Sequence, residues 1–152
     1  MLNTKSKIVY EKILPIDYST VFEVLHKCDL LYSDIEPSKG ILFIVAKDLE
    51  NVVGTIGLEV YGKEALLRSL AVMPEYQNKG IASELIQRIV QVAKSIEIDT
   101  FHLLTTTAEQ YFLRKGFRKD ARENAPIPIQ ATSEFAGLCP SSAIYMVLHL
   151  SR

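Results

Sequence analysis

Neither sign of charge is in excess. The chain sets 17 Lys and Arg against 18 Asp and Glu, a net charge of −1, and no basic run exceeds two or three residues. Such a chain has no field that would gather nucleic acid or an anionic membrane surface. Cysteine is scarce: Cys28 and Cys139 make no metal-ligand spacing and no disulfide framework. No metal is expected, and the expected setting is the cytoplasm with both thiols reduced. No apolar stretch approaches the length of a membrane span, and Met1 to Glu11 lacks the apolar run of a secretory signal peptide. Repeats, low-complexity tracts and an interdomain linker are absent as well. What remains is 152 residues, 48% hydrophobic and 23% charged, expected as a single domain over 1–152 with a sizeable core. The pattern leaves monomer and homodimer both open.

The stretch that organises the chain runs from Leu66 to Ala82. It reads as a buried strand, a tight loop and the first turn of a long helix. The first N–H groups of a helix lack intrahelical partners and sit at the positive end of its dipole. A phosphate is held there without a dedicated side chain. Gly80 permits such a loop, because glycine tolerates positive φ and lets an anion approach the main chain. From Gly80 onward Ile81, Ala82, Leu85, Ile86, Ile89, Val90 and Ala93 form a broad apolar stripe, the mark of a helix packed on a sheet.

The flanking chain reads in order. Lys7 to Leu14 is a strand ended by Pro15. Thr20 with Glu23 makes a capping box opening a helix to about Cys28. A further short helix is expected near Leu31 to Glu36. Ile41 to Lys47 and Val52 to Tyr61 are a hairpin, and Glu64 to Val72 a third antiparallel strand. Thr100 to Leu104 is short and apolar, and the strand–helix–strand order sets it parallel to Glu64–Val72. Thr106 with Glu109, or Thr107 with Gln110, caps a helix closing on Gly116. Phe117 to Ala121 is a strand, Pro128 to Ala136 a short helix stopped by Gly137, and Ala143 to Leu150 the final strand. The class is therefore α/β (α+β), in the order β-α-β-β-β-α-β-α-β-β.

Gln77-Asn78-Lys79-Gly80-Ile81-Ala82 fits the Q/R-x-x-G-x-G/A motif of the GCN5-related N-acetyltransferase (GNAT) superfamily. It follows Leu-Ala-Val-x-Pro at a strand end. Ala108 to Phe117 is similar to a second signature of that family, A-x-x-x-(Y/F)-x-x-x-G-F. The matched core spans roughly Leu66 to Phe117, and the ends resemble the family in layout only. The resemblance implies the GNAT fold: a mixed, mostly antiparallel sheet, flanking helices and a parallel strand pair that splays to admit pantetheine. It implies acetyl-coenzyme A as cosubstrate, bound by Ala71, Val72, Gln77, Asn78, Lys79, Gly80, Ile81, Ala82 and Ser83, with the Val72 N–H serving the thioester side. It also implies that the segment after the first helix covers the acceptor.

Acetyl transfer to an amine needs a polarised carbonyl, an amine that loses its proton and a stabilised thiolate. Many family members carry a tyrosine where this chain has Phe112. Tyr111 stands beside it, but adjacent helix residues point about 100° apart. Tyr111 is either a displaced acid or an amphipathic core residue with its hydroxyl at the edge, and water could protonate the thiolate instead. Glu59, in an apolar strand, is the best-placed carboxylate to take the amine's proton. Arg68, amid Leu-Leu-Arg-Ser-Leu, either binds an acceptor carboxylate as a fork or pairs with Glu59 for structure. Counted from Gly62 the two are not directly opposite, and an acceptor bound near this end of the sheet favours the catalytic alternative.

Leu103 to Phe117 resembles the acetyltransferase domain of N-acetylglutamate synthases. Together with Ile129 to Ala143 it looks still more like the small acetyltransferases associated with arsenic-resistance operons. That implies a small amino-acid-like acceptor with an α-amino group. Phe112 keeps a second reading open, a non-catalytic acetyl-coenzyme A sensor on the same fold.

Overall fold

The computed structural model describes residues 7–150. Its elements are β1 (Ile8–Lys12), α1 (Tyr18–Lys27), β2 (Leu42–Asp48), β3 (Asn51–Tyr61), β4 (Glu64–Val72), α2 (Ile81–Ser95), β5 (Thr100–Thr105), α3 (Glu109–Arg114), β6 (Arg118–Asp120), α4 (Ile127–Gln130) and β7 (Ile144–His149). The strands form one seven-stranded sheet in the order β1-β2-β3-β4-β5-β7-β6. β1–β2, β5–β7 and β6–β7 are antiparallel, and β4–β5 is parallel. This is the expected mixed, mostly antiparallel sheet with its parallel pair. The parallel register is Glu64↔Thr100, Ala65↔Phe101 and Leu66↔His102. Both strands run on past it, β4 to Val72 and β5 to Thr105.

Two compact units divide the chain: Met1–Gly57 with Ser69–Ile89, and Leu58–Arg68 with Val90–Arg152. The first has its core under α1, where Val21, Val24 and Leu25 pack with Phe43, Val45, Val52 and Ala71. Gly57 is required here, since a Cβ would stand 2.7 Å from the Phe43 ring. Lys47, almost fully buried, is held by Glu11 at 2.8 Å and Asp17 at 3.1 Å. In the second unit Leu66, Ala125, Ile129 and Tyr145 make a buried cluster, with Tyr61, Leu104, Phe135 and Val147 packed on it.

Four local expectations are corrected. Helix α1 starts at Tyr18 after a 3₁₀ turn over Pro15–Asp17, so Thr20 lies inside it and caps nothing. Pro15 fixes φ for that turn and so sets the entry three residues earlier. Residues 31–36 form no helix. The helical turn is at Pro37–Lys39, again with proline at its first position. Helix α3 is capped by neither Thr106 nor Thr107. Ala108 is its N-cap, and the Ala108 N–H donates to Thr105 Oγ1 at 3.0 Å. Its other end is as expected, with Gly116 at φ 96°. The C-terminal helix expected over 128–136 is two pieces, α4 and a wide π-type turn at Glu134–Leu138 that contains Gly137.

Candidate active site

In the first unit the strand β4 ends at Ala71 and Val72, both buried. Pro74 to Tyr76 make a 3₁₀ turn, residues 77–80 are exposed, and α2 begins at Ile81. Asn78 and Gly80 adopt positive φ, 63° and 85°. An asparagine and a glycine are the residue types that take this conformation most cheaply. The first helical bond runs from the Glu84 N–H to the Gly80 carbonyl at 3.0 Å. The N–H groups of Gly80, Ile81 and Ala82 precede it and have no intrahelical carbonyl to meet. Space in front of Gly80 is open, with nothing within 4 Å of an added Cβ. Ser83 lies half-buried in the first turn.

The loop is braced by its own side chains. Gln77 Nε2 donates to the Val72 carbonyl at 2.9 Å, and Cys28 Sγ approaches the same oxygen at 3.4 Å. Burial pushes the Cys28 thiol up, so it stays protonated and can donate. The Met73 N–H, on the same peptide as that carbonyl, donates to Val53 O at 2.8 Å. The Tyr76 hydroxyl donates to Asp48 Oδ2 at 2.6 Å, a bond that raises the Tyr76 pKa, and Lys79 Nζ sits 5.6 Å from the Tyr76 ring. Gln77 is thus an inward brace, a role the motif alone does not announce.

In the second unit Glu59 and Arg68 meet, despite the offset counted from the turn. Arg68 Nη1 donates to Glu59 Oε2 at 2.6 Å, and Arg68 Nε lies 3.5 Å from Glu134 Oε2. The Tyr61 hydroxyl donates to Glu59 Oε1 at 2.6 Å. The Arg68 side chain is fully buried, and those of Glu59 and Glu134 are about a tenth exposed. The pairing that the sequence weighed against the catalytic roles is present. The guanidinium is enclosed between two carboxylates, and the Glu59 carboxylate accepts on both oxygens. Both follow from burial, because an arginine in a dry strand must recruit partners. The partner sequence reasoning missed is Glu134, from a segment read as plain helix.

Tyr111 Oη is buried with no hydrogen-bond partner among the described residues. Its ring meets Phe112 edge-on at 5.4 Å, and Lys115 Nζ is 5.4 Å from its centroid. Phe112 is buried on Phe117 and offers no proton. A buried hydroxyl left without a partner is uncommon and calls for an explanation. A ligand atom supplied in the working complex is one.

A third group was not anticipated. His102 is buried between the Tyr145 hydroxyl, 2.6 Å from Nδ1, and Glu64 Oε1, 2.5 Å from Nε2. Burial, with Asp120 and Glu64 adding negative charge nearby, pushes the Tyr145 phenol up to about 12. The available signal was a histidine inside the apolar strand Thr100–Leu104, which could only be buried with partners.

Residues 39–119 match the family model described as "Acetyltransferase (GNAT) domain". A 60-residue stretch is 37% identical to an amino-acid acetyltransferase of Pseudomonas paraeruginosa, covering 40% of this chain, and equally so to one of Pseudomonas syringae pv. syringae. That stretch is 14% of those relatives' length. Among solved structures, N-acetylglutamate synthase from Neisseria gonorrhoeae, complexed with coenzyme A and L-arginine, superposes with a TM-score of 0.80 at 18% identity, over 97% of this chain and 34% of that one. Rv2747 from Mycobacterium tuberculosis, in complex with CoA and NLQ, superposes at 0.73 and 21% identity, over 94% of this chain and 99% of that one. At these identities the superpositions speak to fold.

Proposed function

The chain belongs to the GNAT acetyltransferase family, and from that premise we propose that residues 1–152 act as one N-acetyltransferase domain moving an acetyl group from acetyl-coenzyme A to the amine of a small, amino-acid-like acceptor. The observation that carries this is the Asn78–Gly80 loop opening α2, with its N–H groups ahead of the first helical bond and clear space before Gly80. The pyrophosphate binds at Gln77 to Ser83, largely on the main chain. Ala71 and Val72 hold the pantetheine and thioester side, and the braced Val72 peptide keeps that strand end in one conformation. The amine nitrogen attacks the acetyl carbon and gives up its proton toward solvent, the C–S bond breaks, and the thiolate takes a proton from the Tyr111 hydroxyl, which solvent restores. Glu59 and Arg68 enter as a pair that fixes the polar wall of the second unit.

An α-amino acceptor agrees with the amino-acid acetyltransferase relatives, although the shared stretch is a small part of their length. The likeness of 103–117 and 129–143 to arsenic-operon acetyltransferases adds amino-acid-like arsenicals to the compounds worth testing. A cytoplasmic setting suits acetyl-coenzyme A as cosubstrate. Among the described residues no helix is long and apolar enough to cross a membrane.

Calorimetry with acetyl-coenzyme A tests the binding loop. Gly80→Glu puts a side chain and a negative charge where the phosphates sit, and affinity should fall roughly 100-fold or more, at least ~2.7 kcal/mol. Unchanged affinity refutes the loop assignment. A second reading, a sensor that binds without turnover, is favoured by Phe112 alone. A thiol-release screen over amino acids, small amines and amino-acid-like arsenicals separates the two: turnover supports the enzyme, and binding without turnover the sensor.

A further inference from the structure

Amine acetylation releases a proton, and the carboxylate expected to receive it already accepts from Tyr61 and Arg68. The second unit holds another route. Tyr145 of β7, His102 of β5 and Glu64 of β4 form a continuous hydrogen-bonded chain across three strands. Tyr145 and His102 are 2% and 3% exposed, whereas the Glu64 side chain is 32% exposed. One end is therefore dry and the other touches water. In the tautomer with the hydrogen on Nε2, His102 donates to Glu64 and accepts from the Tyr145 hydroxyl at Nδ1, and both donors then point toward Glu64.

The dry end lies beside the buried pair. Phe135 meets the Tyr145 ring edge-on at 5.5 Å, and the preceding residue, Glu134, holds Arg68. Tyr61, which donates to Glu59, packs on the same apolar cluster as Tyr145. The charged groups acting on the phenol are Asp120 from β6 and Glu64 from β4. A core with only structural demands is served as well by apolar side chains, since a buried polar network must be fully satisfied merely to break even.

We propose that Tyr145, His102 and Glu64 are a relay that carries the acceptor's proton from the dry interior to solvent, an inference that rests on the acetyl-transfer reading. The acceptor's N–H bond breaks as its proton moves to the Tyr145 oxygen, directly or through one water. The phenolic proton moves to His102 Nδ1, the Nε2 proton moves to the Glu64 carboxylate, and Glu64 releases it to water. No electrons change hands; the transferred hydrogen is left on Nδ1, and a turn of the imidazole about its Cβ–Cγ bond brings it back to the Glu64 side before the next turnover.

The test measures kcat and KM against pH, with a solvent-deuterium proton inventory, in the wild type, Tyr145→Phe and Glu64→Gln. Tyr145→Phe should lower kcat at neutral pH by roughly 100-fold, the scale of a lost proton-transfer group. Its KM for acetyl-coenzyme A should stay within about twofold. The rate should recover as pH rises toward the amine's own pKa, where the acceptor arrives unprotonated, and the inventory should lose its multi-proton curvature. Glu64→Gln, half-exposed and mild for folding, should show the same recovery with a smaller loss. It keeps the question answerable if Tyr145→Phe folds poorly. A lower thermal midpoint with a wild-type pH profile and inventory in either variant makes the trio structural and overturns the relay. Absence of wild-type turnover with any amine overturns the acetyl-transfer reading and the relay with it. Turnover that neither variant alters overturns the relay alone.

Discussion

The loop at Gln77 to Ser83 and the buried charges around Arg68 are built from opposite materials. The loop works with main-chain N–H groups, and its side chains brace it: Gln77 on the Val72 carbonyl and Tyr76 on Asp48. The Arg68 group works with side chains alone, drawn from β3, β4 and the Glu134–Leu138 turn. The first depends on a few backbone conformations and tolerates wide variation in its exposed residues. The second depends on three ionised groups keeping one another company in a dry place and tolerates almost none. Substitutions in the loop should therefore act on ligand affinity, and substitutions around Arg68 on folding.

The largest effect tests the second half of that contrast. Arg68→Met leaves Glu59 and Glu134 buried without their cation. It should cost about 3–5 kcal/mol of stability in denaturant unfolding. Glu59→Gln should cost less, and the double variant Glu59→Gln/Arg68→Met should be more stable than the two single losses added together, because each removes the other's penalty. Additive losses, or stability held while turnover falls, would return the pair to the base-and-fork roles that the sequence favoured.

How far each region could be read beforehand follows from the same contrast. β4 was delimited to the residue as Glu64–Val72, and α2 from Gly80, because apolar runs and the Gly80 and Pro74 breaks are local signals. The loop's identity rested on six contiguous residues. Helix starts were misread at Thr20 and Thr106 because side-chain caps are one of several ways to satisfy a first turn, and Pro15 and Thr105 supplied others. The Arg68 group was half legible. Glu59 and Arg68 were odd in apolar strands, but Glu134 lies 66 positions beyond Arg68, and no local pattern names a partner at that distance. His102 shows the same limit: its need for partners was visible, and Glu64 and Tyr145 as those partners were not.

A middle-sized effect concerns the pH dependence of the second unit. Tyr145 has its pKa raised to about 12 in the folded chain, first by burial and then by Asp120 and Glu64, against about 10 unfolded. Between these values the unfolded chain has lost the phenolic proton and the folded chain keeps it. The unfolded state then binds fewer protons, so stability falls as pH rises. The contribution is fully present below pH 10 and is lost on approach to pH 12. Thermal midpoints should decline over that window, and the decline should be shallower in Tyr145→Phe. Lys47 of the first unit, raised by Glu11 and Asp17, slopes the same way and remains in both proteins, so only the difference between them belongs to Tyr145. Parallel declines would mean that the phenol ionises in the folded state as easily as in water.

The smallest effect asks whether the loop is as independent of side chains as its construction implies. Gln77 is exposed, yet its amide reaches back to the Val72 carbonyl at 2.9 Å. Gln77→Ala removes that bond but not the carbonyl's other neighbour, Cys28 Sγ at 3.4 Å, nor the Met73 N–H to Val53 O bond on the same peptide. The carbonyl is left partly satisfied, so the loss should be near the lower end for one hydrogen bond, about 0.5–1.5 kcal/mol. The N–H groups of the first turn stay in place because Asn78 and Gly80 still set their direction. Acetyl-coenzyme A affinity in Gln77→Ala should drop only about threefold to tenfold, roughly 0.7–1.4 kcal/mol, well short of the loss in Gly80→Glu. A loss matching Gly80→Glu would show that the amide side chain itself meets the phosphate, and would move Gln77 from brace to ligand. No change at all would show that Cys28 and Val53 hold the strand end unaided, and the Gln77 contact would then be an accident of an exposed side chain folding back on its own loop.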